Sequence, residues 1–136
     1  MHNTLECLVE RLSSEGEKTQ EFFGAMLPGQ WERTLYTVGA RWSVRQVLAH
    51  IVSAETGMRQ LIENILAGSP GVSEDFDLDA YNERRVERWA NVPPEELLWE
   101  FTAQRQVTVD FVKSMEVKGL CMSGRHPLLG GSLWRT

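Results

Sequence analysis

This 136-residue chain is short of several things, and each shortage removes a class of protein. It has two cysteines, Cys7 and Cys121, and no C-x-x-C pair, so they build neither a disulfide framework nor a cysteine-rich zinc site. Its 14 basic residues are outnumbered by 19 acidic ones, for a net charge of −5, and no Lys/Arg block occurs. A nucleic-acid or anionic membrane surface is therefore not its main partner. No apolar run approaches ~20 residues, so no transmembrane helix is expected. The start, Met1-His2-Asn3-Thr4, lacks the basic-then-apolar pattern of a secretory signal. A soluble protein of the reducing cytoplasm is expected. No internal repeat and no strand pattern of convincing length is visible.

What is present reads as one globular domain over residues 1–136, with 42% apolar and 24% charged residues. The densest signal is Trp42-Ser43-Val44-Arg45-Gln46-Val47-Leu48-Ala49-His50-Ile51. Ser43 and Gln46 are spaced as a capping box, and Trp42 and Val47 as a hydrophobic staple. A helix over 44–67 follows, with its apolar stripe on Val44, Val47, Leu48, Ile51, Met58, Leu61, Ile62 and Ile65. A first helix is expected over 4–27, weakened at Gly16, where a bend is expected. A third is expected over 79–117, interrupted at Asn91-Val92-Pro93-Pro94. The segment 69–78 reads as an acidic crossover, and 119–136, with five of its residues Gly or Pro, as an irregular tail. The fold class is all-α.

With these segments in order, the chain resembles the DinB superfamily of four-helix-bundle metalloproteins, which includes the mycothiol-dependent maleylpyruvate isomerase group. The resemblance rests on Leu27-Pro28-Gly29-Gln30-Trp31, on Trp42–Ile51, on Tyr81-Asn82-Glu83, on Pro93-Pro94-Glu95-Glu96-Leu97-Leu98, and on Gly124-Arg125-His126-Pro127-Leu128-Leu129-Gly130. It implies an up-down bundle and a thiol S-transferase or thiol-dependent isomerase activity. It also implies a divalent metal, Zn or Ni, and a low-molecular-weight thiol. In the family the metal is held by three histidines, one in the position of His50 and two spaced H-x-x-x-H on the fourth helix. No such pair occurs among the three histidines here, and six residues follow Gly130. The domain thus reads as C-terminally incomplete, without its fourth helix, and this chain alone is expected to be inactive.

His50 is the metal-ligand candidate and His126 a remote second; a lone imidazole makes no tight zinc site, so a half-buried helix histidine is the plainer reading. His2 reads as a terminal surface residue. Cys7 reads as a packing residue of the first helix and Cys121 as a loop thiol. Arg84, Arg85, Glu87 and Arg88 could bind an anion, but read better as a solvated helix face. The alternative function is a non-catalytic helical module that self-associates. Without a fourth helix, Leu48, Ile51, Leu61, Leu98, Phe101 and Val112 are expected to leave an open apolar wall, which a homodimer would cover.

Overall fold

The computed structural model describes residues 4–37 and 40–115. The cap that the sequence marks is formed. Ser43 Oγ accepts from the Gln46 N–H at 3.1 Å, and Gln46 Oε1 accepts from the Ser43 N–H at 2.8 Å. From it runs α2, Val44–Leu66, one residue short of the expected end. The first helix, α1, is Thr4–Gly24, three residues short of the expected end, and a single 3₁₀ turn follows at Pro28–Gln30.

Two expectations are corrected. The expected helix over 79–117 is two helices, α3 at Leu78–Arg88 and α4 at Pro94–Ser114. Asp77 caps α3 by accepting from the Ala80 N–H at 3.1 Å, and Pro94 opens α4 with Glu95 and Glu96 in its first turn. The connector also contains a strand pair that the sequence reading missed: β1, Thr34–Thr37, pairs antiparallel with β2, Ala40–Ser43, in the register Thr34↔Ser43 and Thr37↔Ala40. The signal was the β-branched and aromatic Thr34-Leu35-Tyr36-Thr37 run before a short connection containing Gly39. The fold remains all-α in substance, and no described helix is long and apolar enough to cross a membrane.

Helix α4 packs on both α1 and α2, and α3 lies on the far side of α2. Phe23, Val44, Leu48, Ala49, Val52, Leu97 and Phe101 form the main core cluster. The open wall is not found: Leu48, Leu61, Phe101 and Val112 are buried, and Ile51 and Leu98 are half-buried. One arginine clamps the three long helices. The Arg105 Nε donates to Glu55 on α2 and Nη1 donates to the Leu12 carbonyl on α1 at 2.9 Å, while the guanidinium lies 5.2 Å from the Phe101 ring. Gly16 makes room for it, since a Cβ there would stand 3.0 Å from Arg105 Cγ. That explains the glycine better than a bend, and α1 runs through it unbroken. Cys7 is exposed, not packed, because it lies two positions past the buried Leu5 and so faces another way. His2, Cys121, His126 and the 119–136 tail lie outside the described residues.

Candidate functional site

The stripe of α2 that faces neither α1 nor α4 ends in a cavity of about 480 Å³. Its floor is α2, through His50, Ala54, Gly57, Met58 and Leu61. The crossover read as acidic turns Val72 and Phe76 into it, and α3 adds Leu78, Tyr81 and Asn82. The acidic residues Glu74, Asp75 and Asp77 between those apolar positions are exposed. This alternation was the legible signal that the crossover has an inner face. The size is that of a small-molecule pocket, with a few polar groups in mostly apolar walls.

Gly57 lies inside α2, where glycine costs roughly 1 kcal/mol against alanine. A Cβ there would meet the Tyr81 hydroxyl at 3.0 Å. The glycine lets Tyr81 lie down on α2 and become a wall. Phe76 packs on the same ring, with centroids 5.4 Å apart. Gln60, Asn64 and Asn82 supply carboxamides, and the Gln60 amide donates to Asn64 Oδ1 at 3.0 Å.

His50 is half-buried in this cavity, with the Trp42 ring 5.1 Å from its own. Its Nδ1 is buried without a hydrogen-bond partner. Burial lowers its pKa below the usual 6.5, so the imidazole is neutral at pH 7. Two more buried atoms on the α2–α3 seam lack a partner, Ser53 Oγ and Arg85 Nε. Arg85 departs from the solvated face expected for its segment. It is half-buried, donates to Thr56 Oγ1 at 3.2 Å and lies 5.8 Å from the Tyr81 ring centroid, whereas Arg84, Glu87 and Arg88 are exposed as expected.

The donor set does not fit a metal. His50 is the one metal-ligating side chain of strong affinity on the cavity wall, and no group of three His, Cys, Asp or Glu side chains comes together among the described residues. His126 lies outside those residues.

A helical bundle whose second helix opens on a capping box and carries a half-buried histidine into a side cavity is a DinB-like bundle. Residues 12–136 match the family described as Mycothiol maleylpyruvate isomerase N-terminal domain, and the chain belongs to that family. No curated protein and no solved structure matches it significantly.

Proposed function

We propose that this chain is a domain of the thiol S-transferase or thiol-dependent isomerase type, whose cavity holds a small electrophile beside His50. The observation that carries the reading is the neutral, half-buried imidazole with an unpartnered Nδ1 on the wall of an apolar cavity. Unpaired buried polar groups in a cleft are costly, and they concentrate where a ligand completes them. The imidazole lone pair takes the proton of an incoming low-molecular-weight thiol as its sulfur bonds to the electrophilic carbon. The displaced electron pair goes to the electrophile's own carbonyl or leaving group, which the imidazolium then protonates. In an isomerisation the former double bond, now single, rotates in the adduct, and the thiol then leaves as the double bond re-forms and the sulfur regains its proton. No step here runs through a metal, so the inactivity expected from an incomplete metal site is not carried into this reading. A reducing, cytoplasmic setting suits the thiol partner and the exposed Cys7.

The test is the rate at which the chain promotes displacement of chloride from 1-chloro-2,4-dinitrobenzene by a low-molecular-weight thiol, with release of chloride and a proton. The expected result is acceleration over the uncatalysed rate that His50→Gln lowers by about 10²-fold. A rate no faster than uncatalysed, or one that His50→Gln leaves unchanged, overturns the reading.

Self-association, as a homodimer or with a protein partner, is the second reading. Phe22, Leu27 and Trp99 support it, at 62%, 65% and 70% exposed. Light scattering of the wild type and of Trp99→Ser tests it, with a dimer mass that falls in the variant as the supporting result and a monomer at tens of micromolar as the contrary one.

A further inference from the structure

The cavity has a chemical character that its size and its histidine do not by themselves convey. The polar side chains on its described wall, His50 apart, are three carboxamides and one phenol: Gln60, Asn64, Asn82 and Tyr81. The rest are aliphatic, aromatic or Met. Arg85, a cation on the seam, is turned to Thr56 and to the ring of Tyr81.

We propose that this cavity selects an uncharged, largely apolar small molecule that carries a carbonyl, amide or hydroxyl group, and discriminates against one bearing a carboxylate or sulfonate. The inference rests on the cavity being the ligand site. A carboxylate moved from water into apolar surroundings without a paired cation loses far more solvation than neutral amides return. A neutral carbonyl or hydroxyl asks less. The carboxamides and the Tyr81 hydroxyl each donate and accept, so they satisfy it in either sense. The apolar remainder of the ligand is rewarded by burial against Met58, Leu61, Val72 and Phe76. Gly57 fits this scheme, since a Cβ there would stand 3.0 Å from the Tyr81 hydroxyl and press it away from α2.

Two dyes with one scaffold test it at 0.15 M salt, where long-range repulsion by the net charge is largely screened. N-phenyl-1-naphthylamine is neutral, and 8-anilino-1-naphthalenesulfonate adds a sulfonate. The neutral dye is expected to bind one-to-one, more than about tenfold tighter than the anionic one. Ala54→Phe, which fills the cavity from α2, is expected to abolish that binding. Gln60→Lys, which puts a cation at an exposed position of the wall, is expected to tighten the anionic dye and so narrow or reverse its disadvantage against the neutral one. Anionic dye bound as tightly as the neutral one, and lost in Ala54→Phe, overturns the selectivity while the site stands. Loss of that binding in Arg85→Gln would then make Arg85 the acid-binding group. Binding of neither dye, or no response to Ala54→Phe in a folded variant, overturns the selectivity and the site together. Dye selectivity as expected with no His50-dependent thiol addition overturns the proposed function alone.

Discussion

Toward α4, helix α2 presents Glu55 and Arg59, and both are met. Glu55 accepts from Arg105, and Arg59 donates to the Gln104 carbonyl at 3.2 Å, to Gln104 Oε1 at 2.7 Å and to Thr108 Oγ1 at 3.0 Å. Toward α3 the same helix presents His50 and Ser53, each with a buried polar atom that nothing meets, and Arg85 answers from α3 with a third. One seam therefore reads as framework and the other as a place for something else. Natural sequences break the rule of polar satisfaction mainly where function requires it, and here one of the three atoms, His50 Nδ1, belongs to the cavity wall.

The contrast is broken most severely at its framework end. Arg105→Met leaves Glu55 half-sequestered without its partner and is expected to cost about 3–5 kcal/mol in chemical denaturation. The double variant Glu55→Met, Arg105→Met is expected to recover part of that loss. If the single variant costs under about 1 kcal/mol, the clamp is ornamental. A smaller loss, about 1 kcal/mol, is expected for Ser43→Ala, which removes one bond of the cap; an unchanged Tm would mean that α2 does not depend on it.

At the cavity end the sign changes. The folded pKa of His50 lies below its unfolded value of about 6.5, so the unfolded chain binds more protons in mild acid. Stability associated with this group is complete above pH 6.5 and is lost as the pH falls through the folded pKa. His50→Leu is therefore expected to raise Tm relative to wild type in mild acid and to change it less at pH 7.5. A wild-type-minus-variant difference that does not vary with pH would contradict the assignment. The smallest effect is expected from metal. Zn²⁺ or Ni²⁺ at tens of micromolar should leave Tm nearly unchanged, because one imidazole contributes little binding energy. Tight one-to-one binding abolished by His50→Ala would instead mean that donors beyond the described residues complete a site.

How much of this was legible depended on how local the cause was. The start of α2 was readable because Ser43 and Gln46 decide it within four residues. Pro93-Pro94 marked the break between α3 and α4, although not that the two would pack on opposite sides of α2. His50 was found as a candidate, but its cavity was not, because the facing wall comes from Phe76 and Tyr81, 26 and 31 positions further along. Gly16 read as a weak point in its helix and Gly57 was not singled out, and the reasons for both are contacts from Arg105 and Tyr81 on other helices. The charge of Arg85 was visible, while its burial depended on Thr56 lying opposite.

The central claim is that His50 is a neutral imidazole lining a cavity that a ligand can dry further. Titration of its ring by proton NMR, with and without saturating N-phenyl-1-naphthylamine, tests this directly. The account predicts an apparent pKa below 6.5 in the free protein and a further fall when the cavity is filled. A ring that titrates at the ordinary value, with and without the probe, would contradict it.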